Sequence, residues 1–274
     1  GVASTAMAGV RYAVSIPIFA EPGDLVDLGA AAEASGWDGV FYWDHLYASP
    51  AMPLPMADPW VVLGALAART SRVLLGPMVT PLARRRPQKV AREAVTLDRL
   101  SGGRLVLGVG LGNPPEEYSA FGDDATRSVL GDRLDEALDV VTGLWRGTPF
   151  SYDGAHFTVR DAQFLPAGAV PIWVAATTPH RRPLRRAARY DGVVLATVTP
   201  ERGIDPLTPE LLSAAVADVR RRRGDLAGFD VVVLCPAVPT PAEVAAYAGA
   251  GATWLMVTGW LDSLDELIAG GPPS

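Results

Sequence analysis

One acid–histidine pair in the sequence has the residue types that proton transfer requires. Asp44 and His45 directly follow the apolar run GVFYW of residues 39–43. An imidazole titrates near neutral pH, and a nearby carboxylate can orient it and raise its basicity. An Asp-His dipeptide can equally cap a loop and make a structural hydrogen bond, but its place at the end of a predicted strand favours chemistry. His45 and Asp44 are therefore the candidate catalytic residues.

A second candidate site lies in residues 175–181, which have the sequence AATTPHR. This segment combines small residues, hydroxyl groups, a proline at a helix start and a cation. Free N–H groups at a helix N-terminus, threonine hydroxyls and the guanidinium of Arg181 suit a phosphate. Thr-Thr-Pro is also an ordinary N-cap sequence, so the pattern alone leaves both interpretations open.

Aromatic and thioether side chains concentrate near the ends of the first three predicted strands. They are Phe19, Tyr42, Trp43, Tyr47, Met52, Met56, Trp60 and Met78. Such side chains can wall a pocket for a flat ring and an apolar substrate. Because the shell of a folded domain also needs them, many of these residues are expected in the core.

Short apolar runs alternate with amphipathic stretches, and these elements must position the candidate residues. The predicted strands are residues 11–17, 39–43, 73–78, 104–110, 171–175, 192–196, 230–235 and 253–257. The predicted helices are residues 24–35, 58–70, 87–101, 132–146, 182–189, 209–222, 241–247 and 263–269. Residues 111–131 form an insertion, and residues 148–166 a hairpin that turns at Asp153-Gly154.

Eight strands, each followed by a helix, are the count for an α/β (β/α)8 TIM barrel. A doubly wound sheet shows the same alternation, but SIPIFAEPG stands where its glycine-rich G-x-G-x-x-G turn would follow the first strand. We therefore predict a single barrel domain over residues 1–274. Active sites in this fold are built at the C-terminal ends of the strands, which would bring both candidate sites to one rim.

The composition is that of an acidic globular protein, with 49% hydrophobic residues, a net charge of −6 and a pI of about 5.1. This charge argues against a nucleic-acid partner, and the arginine runs at residues 84–86 and 220–223 are expected to be solvated faces or helix-dipole partners. Cys235 is expected to be a small buried hydrophobe, and no histidine has metal-ligand spacing, so we expect no metal. The absence of a long apolar stretch or a signal-peptide pattern predicts a cytoplasmic protein without a membrane span.

Several segments together resemble the bacterial luciferase-like monooxygenase family of flavin- and F420-dependent oxidoreductases. They are GWDGVFYWDHL (residues 36–46), the stretch over residues 58–112, RLDEALDVVTGLWRG (residues 133–147) and PIWVAATTPHRRPLRRAARYDGVV (residues 171–194). The similarity runs from about residue 11 to residue 260, and LDRLSGGRLVLGVGLG (residues 97–112) is its most specific part.

The resemblance implies a barrel with insertions at the C-terminal ends of the strands, a homodimer, and FMN or coenzyme F420 at the barrel mouth. It implies a non-prolyl cis peptide at Met78-Val79 beneath the cofactor ring, and a phosphate site in the loop after the fifth strand. The cofactor-binding residues are then Met78, Val79, Thr80, Gly112, Asn113, Ala176, Thr177, Thr178, His180 and Arg181. Many relatives carry Gly-Gly where this chain has Ala176-Thr177, and the added side chains could obstruct the phosphate.

The two cofactors imply different reactions on a small-molecule substrate. Reduced FMN reacts with O2, and a monooxygenase of this kind is the leading hypothesis, with a separate flavin or F420 reductase supplying reduced cofactor. F420 is an obligate hydride carrier, and the YWDHL sequence of residues 42–46 favours this alternative, in which His45 gives or takes the proton. A non-catalytic flavin-binding barrel is the third hypothesis.

Overall fold

The computed structural model describes residues 9–47, 53–177, 180–199 and 203–273, which form a parallel barrel surrounded by helices. Its strands are β1 (Arg11–Ile16), β2 (Gly39–Tyr42), β3 (Leu74–Pro77), β4 (Leu107–Gly110), β5 (Ile172–Thr177), β6 (Gly192–Thr199), β7 (Asp230–Cys235) and β8 (Trp254–Thr258). They pair in parallel in the order β3-β2-β1-β8-β7-β6-β5-β4. Two short segments extend the sheet, Thr80–Pro81 beside β4 and Gly203–Asp205 antiparallel to β6.

The ring closes between β3 and the residues that lead into β4. The Leu75 N–H donates to the Arg104 carbonyl at 3.0 Å, and the Leu75 carbonyl accepts from the Val106 N–H at 2.9 Å. These bonds join the two ends of the strand order, so the predicted (β/α)8 TIM barrel is confirmed.

The helices in the described part of the chain are α1 (Pro22–Ala34), α2 (Pro59–Arg69), α3 (Pro87–Ser101), α4 (Glu116–Ser119), α5 (Arg127–Trp145), α6 (Arg181–Ala187), α7 (Pro209–Arg223), α8 (Pro241–Gly249) and α9 (Leu261–Gly270). Five begin at a proline, where the missing N–H would have no partner within the helix. Asp58 caps α2 by accepting from the N–H groups of Trp60 and Val61. Thr240 and Glu243 form a capping box at α8. These helix starts are therefore encoded locally.

The start of α5 shows where the local signal fails. The helix begins at Arg127, upstream of the predicted start at residue 132. The sequence pattern stops at Gly131 because glycine weakens a helix by about 1 kcal/mol relative to alanine. In the structure, Leu130 packs with Tyr118, and Gly131 leaves space for the Arg182 guanidinium, which would lie 3.0 Å from an added Cβ. Tertiary contacts therefore extend the helix.

The segment between α5 and β5 is the expected hairpin, with strands Phe150–Asp153 and Thr158–Ala162. Its turn covers residues 154–157 and thus begins one residue later than the predicted Asp153-Gly154. The Glu136 carboxylate accepts from three N–H groups of this turn and anchors it to α5. Because the hairpin leads from a helix into a strand, its two ends lie toward the N-terminal end of the barrel, and its turn reaches back along the outside of α5 to Glu136.

Side chains alternate along each strand between the barrel interior and the surrounding helices. Large aromatic rings fill the lower interior, the part of the barrel toward the N-terminal ends of the strands. The Phe41 and Trp173 centroids are 5.4 Å apart, and those of Trp173 and Trp254 are 5.5 Å apart. Toward the C-terminal ends, many inward positions carry small residues, namely Ser15, Gly110, Ala175, Ala196 and Thr258. The barrel is therefore filled by large rings toward the N-terminal ends of its strands, and several small side chains face inward near its mouth.

Three structural findings bear on the class of protein. No helix in the described residues is long and apolar enough to cross a membrane. The same residues contain no group of three or more His, Cys, Asp or Glu side chains that could hold a metal ion. Cys235 is buried, as expected, and burial raises the pKa of its thiol to about 12, so the thiol stays protonated at neutral pH.

The most specific sequence segment, residues 97–112, includes an arginine with a structural role. α3 ends at Gly102, whose φ of 73° is left-handed. Arg104, which is 9% exposed, then places its guanidinium at the end of α2, where it donates to the carbonyls of Ala67 and Thr70 at 3.0 and 2.9 Å. One buried side chain thus ties the end of α2 to the start of β4.

Replacing Arg104 with methionine should lower the free energy of unfolding by about 3 kcal/mol, because several buried carbonyl groups lose their donor. Urea unfolding followed by circular dichroism measures the change. Arg69→Met is the control, since Arg69 and Asp27 form an ion pair whose side chains are 58% and 69% exposed. This control should change stability by less than about 0.5 kcal/mol. Equal effects of the two substitutions would contradict the role of Arg104.

Candidate active site at the barrel mouth

Four aromatic side chains meet at the C-terminal end of the barrel. Phe19 follows β1, Trp43 and His45 follow β2, and Trp260 follows β8. The Phe19 ring is nearly parallel to the rings of His45 and Trp260, with centroids 6.0 and 6.5 Å away. Trp43 lies edge-on to His45 at 5.8 Å. The structure thus places His45 in an aromatic surface where (β/α)8 barrels carry their active sites.

The aromatic and thioether residues predicted at the rim separate into groups. Phe19 and Trp43 lie at the mouth, and the Tyr47 ring lies edge-on to Phe121 at 6.0 Å. Tyr42 faces the helices instead, where it is fully buried and its hydroxyl donates to the Leu25 carbonyl at 2.5 Å. Met52 lies outside the described residues.

Trp43 is held from inside the barrel. Its indole N–H donates to the Ser15 hydroxyl at 2.9 Å, and Ser15 is buried. Ser15 lies opposite Thr258 in the pairing of β1 with β8. Thr258 Oγ1 is buried and has no hydrogen-bond partner among the described residues. The Thr258 hydroxyl is therefore a buried polar group at the mouth without a partner in the described part of the chain.

A buried glutamate orients the His45 imidazole. His45 Nδ1 lies 3.1 Å from Glu117 Oε1, and the Glu117 side chain is 1% exposed. Burial by itself would raise the pKa of Glu117, but the hydrogen bond from His45 and the charge of Arg84 hold it below its ordinary value of 4.5. Because a carboxylate only accepts hydrogen bonds, Nδ1 carries a proton. His45 Nε2 makes no hydrogen bond within the described residues and is free for chemistry.

Asp44 makes no contact with the imidazole, which corrects the expectation that it orients His45. Its carboxylate accepts from Arg85 at 2.8 and 2.9 Å, from the Thr80 hydroxyl at 2.8 Å and from the Trp60 indole N–H at 3.3 Å. Adjacent side chains on an extended backbone point to opposite sides. Asp44 therefore faces the core while His45 faces the mouth.

Arg84 links the two buried carboxylates. Its Nη1 lies 2.6 Å from Glu117 Oε2, and its Nη2 lies 3.2 Å from Asp44 Oδ1. The exposed fractions of the side chains are 5% for Arg84, 1% for Glu117 and 0% for Asp44. The expectation that residues 84–86 form a solvated face is therefore wrong for Arg84.

Neither Glu117 nor Arg84 was a candidate from the sequence. Arg84 belongs to an arginine run, which ordinarily marks a solvated surface. Glu117 is one of two consecutive glutamates in the polar insertion of residues 111–131. The available sequence signal was that the two glutamates occupy the start of the short helix α4. That signal does not indicate which of the two side chains is buried.

The Met78-Val79 peptide is cis, as the resemblance implied. Met78 packs in the lower interior, and an added Cβ on Gly110 would come within 2.6 Å of Val79 Cγ2. Thr80 is fully buried, and its hydroxyl donates to Asp44. The Thr80 side chain therefore belongs to the ionic network rather than to the open mouth.

Gly112 and Asn113 follow β4 at the rim. Gly112 has a φ of 78°, and an added Cβ would lie 2.8 Å from Pro81. Asn113 is exposed and is joined to Pro114 by a cis peptide. Glycine is thus required at position 112, and the Asn113 side chain is accessible.

The loop predicted to bind phosphate lies at the end of β5. The Ala176 side chain is 2% exposed and packs between strands and helices, so it does not narrow the mouth. Thr177 ends β5, and its carbonyl accepts from the His180 N–H at 3.1 Å. His180 and Arg181 are exposed where α6 begins. Thr178 lies outside the described residues.

Comparisons with known proteins identify the family to which the chain belongs. The luciferase-like monooxygenase family matches residues 3–268. The chain is 35% identical over 209 residues to an F420-dependent glucose-6-phosphate dehydrogenase of Microbacterium testaceum, over 74% of this chain and 60% of that protein. It is 36% identical over 236 residues to the protein of the same name from Beutenbergia cavernae, over 83% of this chain and 67% of that protein. The matched region thus spans about two thirds or less of these relatives.

Solved structures show the same fold. An F420-dependent secondary alcohol dehydrogenase in complex with an F420-acetone adduct matches with a TM-score of 0.78 at 19% identity, over 95% of this chain and 96% of that chain. An FMN-bound oxygenating constituent of 3,6-diketocamphane monooxygenase from Pseudomonas putida matches with a TM-score of 0.67 at 18% identity, over 85% of this chain and 68% of that chain.

The fold is a (β/α)8 barrel that carries the candidate site at its mouth. The chain belongs to the luciferase-like monooxygenase family of flavin- and F420-dependent oxidoreductases.

Glu117→Gln should lower the free energy of unfolding by about 3 kcal/mol at neutral pH, because buried Arg84 loses part of its charge compensation. The pKa of Glu117 is below its ordinary 4.5 in the folded protein. Its stabilisation is therefore present above that pH and is lost as the pH falls through the folded pKa. Urea unfolding at a series of pH values should show the difference between wild type and variant shrinking in acid. A difference that stays constant down to about pH 3 would be inconsistent with this linkage.

Proposed function

We propose that the protein is an F420-dependent oxidoreductase that transfers hydride between F420 and a small organic substrate, with His45 as proton donor or acceptor. The observation that carries this proposal is the contact of His45 Nδ1 with buried Glu117, which leaves Nε2 at the mouth. Three relatives named F420-dependent glucose-6-phosphate dehydrogenase, at 34% to 36% identity, favour F420 over FMN. The reduced-FMN monooxygenase becomes the second candidate, supported by the family description and by the FMN-bound structural neighbour.

The residues at the mouth fit a planar cofactor. Ala175 and Ala196 place only methyl groups at inward positions of the upper interior, and Gly110 leaves room there for the Val79 side chain. Thr258 Oγ1, buried and unpaired among the described residues, suits a polar atom of a bound ring, because buried hydroxyls normally have a partner. Ala176 turns its methyl group away from the mouth. The Ala176 part of the departure from Gly-Gly therefore does not narrow the mouth, whereas Thr177, the next residue of β5, faces the mouth with a hydroxyl group.

Polar groups at the rim would hold the phosphate-bearing part of the cofactor. His180 and Arg181 are exposed at the start of α6, next to Thr177 at the end of β5. When bound, F420 supplies a partner that exchanges two electrons and one hydrogen without O2.

His45 suits the proton that accompanies this exchange. Because Nδ1–H is committed to Glu117, neutral His45 presents the Nε2 lone pair and accepts the proton of a substrate hydroxyl. In the reverse direction, protonated Nε2 donates to the oxygen of a carbonyl substrate. The rings of Phe19 and Trp43 lie beside the imidazole, with centroids 6.0 and 5.8 Å from that of His45.

The protein should bind F420 at least about tenfold more tightly than FMN, a difference of about 1.4 kcal/mol. Titration of the purified protein with each cofactor, oxidised and reduced, followed by absorbance and fluorescence, measures both dissociation constants. Tighter binding of FMN, above all of reduced FMN, would replace this proposal with the monooxygenase. Binding of neither cofactor would contradict both.

His45→Ala should lower kcat of the F420-loaded protein at least ~100-fold, because the proton loses its acceptor. The Kd for F420 should stay within about threefold of wild type, since the change removes no phosphate contact. His156→Ala is the matched control, because His156 lies exposed in the hairpin turn on the outside of α5, where the turn binds Glu136. An unchanged kcat in His45→Ala would refute the assigned role.

A further inference from the structure

We infer that a second ligand site, separate from the barrel mouth, lies between α5, the hairpin and the end of α6, and that it binds a planar aromatic carboxylate. The site is a groove of about 470 Å³, a volume typical of sites that hold small molecules. Side chains from residues 139–146, 150–152 and 189–190 line it, and it is called the hairpin groove below.

The hairpin groove lies away from the candidate active site. Residues 189–190 lead into the first residue of β6, so they lie toward the N-terminal ends of the strands. His45 and Glu117 instead follow the C-terminal ends of β2 and β4. A ligand in the hairpin groove can therefore bind while the mouth holds a cofactor and a substrate.

Two rings of the hairpin form an apolar side of the groove. The Phe150 and Tyr152 centroids are 6.3 Å apart, with an angle of 25° between the ring planes, and both residues are half-buried. An added Cβ on Gly143 would overlap the Phe150 ring, so this ring lies directly on α5. Nearly parallel rings fixed against a helix offer a surface on which a planar ligand can stack.

Tyr190, which also lines the groove, has a hydroxyl group without a partner. Its oxygen is buried and makes no hydrogen bond within the described residues. Burial raises the pKa of this hydroxyl to about 12, so the group keeps its proton at neutral pH. Buried hydroxyl groups in proteins normally have a hydrogen-bond partner. The Tyr190 O–H therefore suits an acceptor oxygen of a bound ligand.

The charged groups around the groove leave one cation uncommitted. Arg189 Nη2 lies 2.6 Å from Asp139 Oδ1. Glu136 accepts from three N–H groups of the hairpin turn, and Asp135 is bound by two arginines of α6. Arg146 is exposed after the end of α5 and makes no hydrogen bond or ion pair in the part of the chain that the structure describes. The charge available to a ligand is therefore positive.

A carboxylate matches this charge. A guanidinium group binds a carboxylate through two parallel N–H···O bonds, which are stronger than bonds between neutral groups. A cationic ligand would be repelled by Arg146 and would leave the Tyr190 hydroxyl without an acceptor. The ring of an aromatic carboxylate would stack on Phe150 and Tyr152, and its oxygens would accept from Arg146 and Tyr190.

2-Naphthoate and 2-naphthalenemethanol are matched probes, because they share one fused ring system and differ in charge. Isothermal titration calorimetry should give a Kd of about 1 mM or below for 2-naphthoate. The neutral alcohol should bind at least ~10-fold more weakly, because it makes no ion pair. Absence of 2-naphthoate binding, or equal affinity for the two probes, would overturn the inference.

Arg146→Ala should weaken 2-naphthoate binding at least ~10-fold, because the carboxylate loses its charged partner. Arg127→Ala is the matched control, since Arg127 is an exposed arginine at the other end of α5, and it should change the Kd by less than about twofold. Binding at the barrel mouth would be insensitive to both substitutions. An unchanged Kd in Arg146→Ala would therefore overturn the assignment of the site.

Tyr190→Phe tests the hydroxyl without disturbing the aromatic packing. The Kd for 2-naphthoate should rise at least ~3-fold, because the ligand loses a hydrogen-bond donor. The urea midpoint of the variant should not fall, since the hydroxyl has no partner to lose within the described residues. An unchanged Kd, or a lower urea midpoint, would overturn the role of Tyr190 in this site.

Discussion

The candidate site depends on one buried interaction, the contact of the Arg84 guanidinium with the carboxylates of Asp44 and Glu117. A buried charge is tolerated only when partner charges and hydrogen bonds replace its lost water. Arg85 adds a second cation at Asp44, so two cations face two carboxylates. The participants come from the segments after β2, β3 and β4. The network therefore joins three successive strand ends into one rim.

The same network determines where His45 points. Glu117 accepts from the imidazole and also from the backbone N–H groups of Leu46 and Tyr47 at 2.9 and 3.3 Å. On the other side, Arg84 donates to the Asp44 carbonyl at 3.0 Å. Both the ring and the flanking backbone of His45 are thus held in place. For the proton transfer that we propose, a side chain held in this way needs little reorganisation.

The barrel was predictable because its signals are local. Apolar runs such as residues 230–235, proline at helix starts and glycine at helix ends each act within a few residues. The start of α5 was predicted wrongly because Leu130 packs against Tyr118, which lies outside the helix. This contact, and not the local sequence, stabilises the first turns of α5. The burial of Arg84 was missed for the same reason: the partners that neutralise it are distant in sequence.

By itself, the sequence determined the order of strands and helices, the closed barrel and the place of His45 at a strand end. These follow from periodicity and turn residues among near neighbours. Only the tertiary structure decided which carboxylate orients the imidazole: Asp44 is adjacent, yet Glu117, 72 positions along the chain, makes the contact. The physical reason is that consecutive side chains on an extended backbone point to opposite sides. The neighbour of His45 therefore faces the core, and the space beside the imidazole is filled by a residue that only the folding of the insertion after β4 brings there.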